Sequence, residues 1–291
     1  RRLCIRIEKT ISTRVLIPSA PRATRSHSGI LCMIKTHYTD FPMFFKHFFS
    51  KPRIYLDYAS STPVDIKMVN SFPRIPKSVA LANPSALHRE GEALKQVLSD
   101  ARTLVAQTLG AGSDEIIFTS GATESDNLAI IGFVRNQLNL DIPPNKIAIY
   151  CSPFEHSSVK EALKYIDPQV LVCNLVQEAG YVLPNTITIP EEVSVVLVSV
   201  IYVQNEIGTL QPIKEIAKRI RKLRKEYPDK TIVFHIDATQ APLFYCLNVT
   251  KLGIDMLTLG ATKLYCHKGV GMLYKRRGIK LSPIMYGGGQ E

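Results

Sequence analysis

A lysine ringed by small residues stands between two apolar runs. Lys263 lies in Gly260-Ala-Thr-Lys-Leu-Tyr-Cys-His-Lys-Gly-Val-Gly271, after Met256–Leu259 and before Val270–Tyr274. Small residues let a bulky group approach the backbone. Upstream, Phe234-His-Ile-Asp-Ala-Thr-Gln240 is an apolar stretch that runs into Asp237. A lysine that can form a Schiff base and an aspartate that can hold a pyridinium nitrogen are the two protein groups that pyridoxal phosphate chemistry needs. Taken alone, the two residues are read more plainly as a surface lysine and a strand-end turn.

Three further stretches carry polar groups where apolar runs end. Ser120-Gly-Ala-Thr-Glu-Ser125 follows Glu115–Thr119 and opens an apolar helical run, Leu128–Val134. Free amides and the positive end of a helix dipole suit a phosphate, and Thr123 adds a hydroxyl; an ordinary helix cap has the same composition. Glu155-His156 follows a second apolar run, and Val203-Gln-Asn-Glu-Ile-Gly208 follows a third. Strand C-termini line the ligand crevice of doubly wound sheets, which would bring His156 and Asn205 to one place. Asn205 can donate to a ligand or simply hold a turn.

The elements that must position these groups alternate. Ile54–Tyr58 reads as a short strand, Asn83-Pro-Ser-Ala as the opening of a long helix, and Leu94, Val97/Leu98, Ala101, Leu104/Val105 and Leu109 as its apolar stripe. Gly110 and Gly112 end it. Strands are expected at Glu115–Thr119, Ile147–Cys151, Val170–Val176, Val195–Ile201, Ile232–Ile236 and Met256–Leu259, with helices over His156–Tyr165 and from Pro212 onward. The helix after Pro212 buries Ile213, Ile216/Ala217, Ile220 and Leu223, and its many Lys and Arg residues form a solvated face or an acidic partner's dock. This order predicts a three-layer α/β/α sandwich with a mainly parallel sheet. Val270–Tyr274 follows too closely for a parallel crossover and is expected to be antiparallel.

The chain has 291 residues, 45% hydrophobic and 21% charged, which is ordinary globular composition. A net charge of +11 raises nucleic-acid binding, but much of it lies in the first 53 residues and Lys214–Lys230, without stacking aromatics. No apolar run reaches the roughly 20 residues that span a membrane. Six widely spaced cysteines show no metal-type pairing and point to a reducing compartment. Residues 1–50 are basic and lack periodicity: a transit peptide, a disordered arm, or upstream sequence ahead of a start at Met33 or Met43. The location expected is cytoplasmic, or an organellar matrix if that segment is a transit peptide. The folded domain is placed at 51–291.

Together the motifs resemble the cysteine desulfurases of the NifS/IscS type, in the class V aminotransferase group of fold-type I pyridoxal phosphate enzymes. The resemblance runs from Ile54 to Glu291. It rests on Leu-Asp-Tyr-Ala-Ser-Ser-Thr-Pro (56–63), Asn-Pro-Ser-Ala-Leu-His (83–88), Phe-Thr-Ser-Gly-Ala-Thr-Glu-Ser-Asp-Asn-Leu-Ala (118–129), Glu-His (155–156), Asn-Glu-Ile-Gly (205–208), His-Ile-Asp-Ala-Thr-Gln (235–240), Lys-Leu-Tyr (263–265) and Gly-Gly-Gly-Gln-Glu (287–291).

The resemblance implies pyridoxal 5'-phosphate as cofactor. It makes Lys263 the Schiff-base lysine, Asp237 the partner of the ring nitrogen, and His156 the residue stacked on the ring. Asn205 and Gln240 stand near the ring oxygen and substrate, and Ala122 and Thr123 in the phosphate cup. The activity implied is removal of sulfur from L-cysteine, giving alanine and an enzyme-bound persulfide for iron–sulfur cluster or thio-cofactor synthesis. A homodimer, and a scaffold or other sulfur-acceptor protein, are the partners implied.

This sequence also departs from the pattern. Gly260-Ala261-Thr262 stands where the family has Ser-Gly-His, so Thr262 offers one hydroxyl and a looser phosphate cup is expected. Cys266 and His267 replace Gly-Pro; they offer a nucleophile–base pair, but neighbours on an extended segment point apart, which favours incidental substitution. The family's small C-terminal domain, its cysteine loop and its carboxylate-binding arginine would lie beyond Glu291. A truncated non-catalytic homologue and a selenocysteine lyase-like enzyme are the alternatives.

Overall fold

The computed structural model describes residues 54–71 and 82–288. The basic segment 1–50 and the last three residues of the Gly-Gly-Gly-Gln-Glu motif lie outside them. The unit Ile54–Glu291 is organised around a seven-stranded sheet. Its strands are β1 (Ile116–Thr119), β2 (Ile147–Cys151), β3 (Leu171–Asn174), β6 (Val195–Ile201), β7 (Thr231–Asp237), β8 (Met256–Gly260) and β9 (Gly271–Lys275). A separate hairpin pairs β4 (Gln177–Glu178) with β5 (Tyr181–Val182). The sheet order is β1-β9-β8-β7-β6-β2-β3, and only β9 runs against the rest. The expected parallel sheet and its one antiparallel strand are both observed.

The core lies on both faces, so the central strands are apolar at every position. In β6, Val196, Val198 and Val200 face one layer while Val195 and Leu197 face the other. The first layer contains α6 (Ile213–Glu226), numbered after the helices α1 (Ile66–Ser71), α2 (Arg89–Leu109), α3 (Ala122–Asn127), α4 (Phe133–Leu138) and α5 (Ser157–Leu163). α6 buries Ile213, Ile216, Ala217, Ile220 and Leu223, the predicted face. Its basic side is not wholly solvated. Arg219 bonds the Ile187 carbonyl, and Arg224 reaches the Ile232 carbonyl and Asp255.

Three expectations need correction. Ile54–Tyr58 forms no strand; Ile54 and Leu56 are exposed. The long helix starts at Arg89, after the His88 ring caps it by accepting from the Gly91 amide, rather than at Asn83. Of its stripe only Leu109 is fully buried, beside Ala106, which the stripe did not include, while Val97 and Leu104 are exposed. Leu128–Val134 is helical as expected, but Leu128–Gly132 is a π-turn between α3 and α4, a feature that periodicity alone does not register. Among the described residues, no helix is long and apolar enough to cross a membrane.

Candidate active site

Five segments leave the same edge of the sheet, at the C-terminal ends of β1, β2, β6, β7 and β8. A cavity of about 560 Å³ opens there, within the size range of small-molecule sites. Ala122, Thr123, His156, Asn205, Asp237, Gln240, Thr262 and Lys263 all line it. Every residue singled out from the sequence is therefore brought to one place. Asp57, Ser60, Gly121, Glu206 and Thr239 also line it and were missed. The 57–60 stretch lies in the 56–63 motif that carries the resemblance, but none of its residues was given a role at the site.

Each side chain is held by a local device. Asp237 ends β7, almost fully buried, and its Oδ1 accepts from the Thr239 amide at 2.9 Å. Burial raises its carboxyl pKa. The Thr239 groups, His156 and Lys263 pull it down without offsetting burial. A cation placed beside this buried carboxyl would favour its ionised form.

Lys263 closes the short turn Ala261–Lys263, and its Nζ donates to the Ser60 carbonyl. Burial lowers its pKa, against the pull of Asp57 and Asp237. The amine is thus eased towards its neutral, nucleophilic form.

Glu155 fastens the His156 turn to the sheet. Its Oε1 accepts from the Ile201 amide at 2.6 Å, while Oε2 is buried without a partner. Burial, with Asp237 second, pushes its carboxyl up to about 8. Gln204 shapes the next turn by accepting from the amides of Glu206 and Ile207, which presents Asn205 to the cavity. Gln240 donates to the Ala59 carbonyl at 2.8 Å. Tyr265 has a left-handed backbone, φ 56°, unusual for a bulky residue. Its N–H is held by Thr62 and its carbonyl by the Asp65 amide. Hydrogen bonds on both sides over-determine the strained conformation.

The helix opening is packed closely. A Cβ on Gly271 would lie 2.5 Å from the Gly121 carbonyl carbon, so only glycine fits against that backbone. A Cβ on Gly260 would meet the Ala122 Cβ at 3.1 Å and its amide nitrogen at 3.3 Å. Gly260 is therefore more than a missing hydroxyl, since it lets the end of β8 close on the helix start.

Cys266 does not line the cavity. Its Sγ donates to the Leu264 carbonyl, and burial, with Asp65, raises the thiol pKa. That disfavours a thiolate and agrees with an incidental substitution.

The model of the aminotransferase class-V family matches residues 54–291. The chain belongs to that family. Among relatives, this class-V chain is 36% identical over 245 residues to cysteine desulfurase IscS of Dictyoglomus turgidum, covering 83% of this chain and 58% of the relative. It is 36% identical over 240 residues to cysteine desulfurase IscS 1 of Archaeoglobus fulgidus, covering 81% and 59%. The chain thus spans under two thirds of the length of these relatives. Among solved structures, SspA in complex with cysteine aligns at TM-score 0.71 and 36% identity, over 81% of this chain and 65% of that one. A NifS-like protein aligns at TM-score 0.72 and 30% identity, over 82% and 63%.

Proposed function

We propose that this chain provides the cofactor half of a pyridoxal phosphate-dependent cysteine desulfurase, which removes sulfur from L-cysteine to give L-alanine. The observation that carries the reading is the convergence of Lys263 and Asp237 on one cavity of suitable size, beside an open helix start. The names of the relatives and the cysteine complex of SspA support the substrate.

The donor set fits the cofactor. Lys263 would hold its aldehyde carbon and Asp237 its ring nitrogen. The amides of Gly121–Thr123 with the hydroxyls of Thr123 and Thr262 would hold its phosphate. His156 would form one wall of the ring's slot, and Asn205 and Gln240 would flank the ring oxygen. When bound, the ring supplies an electron sink that eases loss of the substrate's α-proton. Lys263 is the base best placed to take that proton, because burial lowers its pKa and Ser60 fixes its direction. Asp237 would share a proton with the ring nitrogen, whose positive charge would favour the ionised carboxylate. Among the described residues lining the cavity none is a cysteine, so the persulfide would form on a cysteine brought to it from elsewhere. A homodimer, passage of sulfur to a scaffold or acceptor protein, and a reducing compartment complete the proposal. Four cysteines among the described residues are free, as that compartment requires.

The reading is tested by titrating the purified chain with pyridoxal phosphate and then L-cysteine. A visible band that depends on Lys263 and shifts with cysteine is expected. Binding of the cofactor with no response to cysteine would contradict the substrate.

A further inference from the structure

Behind the cavity wall lies a polar chain that the proposed chemistry does not use. His156 opens α5, and its Nδ1 accepts from the Ser158 amide at 3.2 Å, as a helix cap. The Ser158 hydroxyl lies 2.8 Å from the same Nδ1. On its other side that hydroxyl is 2.5 Å from Oδ2 of Asp126, whose side chain is wholly buried.

Proton counting fixes the pattern. The backbone cap requires a lone pair on Nδ1, so Nδ1 carries no hydrogen. The Ser158 hydroxyl has one proton. Spent on Asp126, it would leave two lone pairs facing each other across 2.8 Å. It must therefore point to Nδ1, and the short contact between Ser158 and Asp126 then needs a proton from Asp126. The surroundings agree. Burial, then Asp237, raises the Asp126 carboxyl well above the usual range, with Glu155 adding to this. A Ser158 or Thr258 hydroxyl donated to it would pull the other way, without offsetting burial. The one ring beside it gives no cation: His235 Nε2 is 3.7 Å from Asp126 Oδ1, and burial pushes that imidazole down to about 3. His235 instead bonds Ser199 and Thr258.

We propose that Asp126 is held as a carboxylic acid and, through the Ser158 hydroxyl, fixes His156 as the tautomer with its proton on Nε2 and can recharge it. When Nε2 gives its proton to an acceptor in the cavity, the hydroxyl proton of Ser158 moves to Nδ1. The Asp126 proton moves to the Ser158 oxygen. Asp126 is left as a carboxylate, and the imidazole stays neutral with its proton on Nδ1. That state sets Nδ1–H against the Ser158 amide, which favours return. Asp126 and Ser158 are positioning residues acting through His156. The destination of the proton rests on the cofactor reading above, whereas the protonation pattern stands without any ligand.

The test uses the purified chain without cofactor. In ¹⁵N-histidine spectra, with His156→Gln to identify the signal, the unsubstituted chain is expected to show His156 protonated on Nε2 and bare on Nδ1 at neutral pH. Infrared difference spectra between this chain and Asp126→Asn are expected to show loss of one buried carboxylic-acid C=O band. Asp126→Asn keeps a donor to Ser158, so the tautomer should persist in it. An ionised Asp126 that serves only as an acceptor would show no such band to lose. A proton on Nδ1 in the unsubstituted chain overturns the proposal without any Asp126 variant, as does an unchanged acid band in folded Asp126→Asn. The cofactor reading can fail separately, by absence of a band that depends on Lys263.

Discussion

Thr62 and Thr262, distant in sequence, are joined by two hydrogen bonds to one oxygen. The Thr62 amide and hydroxyl both donate to the Thr262 carbonyl at 3.0 Å. The same hydroxyl accepts from the Tyr265 amide at 2.9 Å. The N-terminal segment is thereby buckled onto the turn that carries Lys263, and Ser60 is delivered to the lysine's Nζ. Thr62→Val keeps the shape but removes the hydroxyl and leaves the Tyr265 amide without its acceptor. We expect a loss of about 1–2 kcal/mol in denaturant unfolding. Cofactor release should also be faster, as Lys263 and its turn loosen.

Gly271→Ala tests the closeness of the helix opening. Its Cβ would fall 2.5 Å from the Gly121 backbone, which cannot step aside as a side chain could. The expected cost is about 1–3 kcal/mol. Because the displaced atoms belong to Gly121, affinity for cofactor should fall as well as the melting temperature. Alanine placed at Gly208, where a Cβ meets nothing but φ is +72°, would strain the backbone and leave the helix opening intact.

How much of this was legible in the sequence depended on whether a residue acts through its own type or through a contact. Lys263, Asp237 and His156 became candidates only as a set, since alone each is read as a surface, turn or structural residue and it is the run of motifs after apolar strands that singles them out. The strands β2, β6, β7 and β8 were legible because burial on both faces leaves continuous apolar runs. Thr62, Glu155 and Gln204 were not, since their work lies in bonding amides distant in sequence or setting a turn. The half-exposed stripe of α2 was misread because periodicity reports that a face is apolar, not what covers it.

Glu155 predicts a pH dependence of stability. Its folded carboxyl titrates at about 8, raised from 4.5 by burial. A raised carboxyl holds its proton longer in the folded chain than in the unfolded one. Its contribution is complete below the unfolded value and is lost as pH rises through about 8. The slope in this window reaches about 1.4 kcal/mol per pH unit for one proton. Asp126 and Asp237, also raised, act in the same direction. His235, pushed down to about 3, acts oppositely, but only below its unfolded value of 6.5. Denaturant unfolding above that value should show stability falling with pH, and Glu155→Gln should flatten the fall. An unchanged slope would mean that Glu155 is ionised in the folded chain.

Asp237→Asn replaces the buried carboxyl by a neutral amide of the same shape. The cofactor should still be held by Lys263 and the helix opening. Loss of a charged hydrogen bond to the ring nitrogen, worth about 1.5–3 kcal/mol, predicts a roughly 10- to 100-fold fall in turnover of L-cysteine. The measurement is alanine release by the loaded protein in the presence of a thiol acceptor.

The most direct test of the central claim is the visible spectrum of the purified chain with pyridoxal phosphate, before and after L-cysteine, beside Lys263→Ala. A yellow band that requires Lys263 and shifts when cysteine is added is expected. A spectrum of bound cofactor identical in the chain and in Lys263→Ala, or no binding at all, would contradict it.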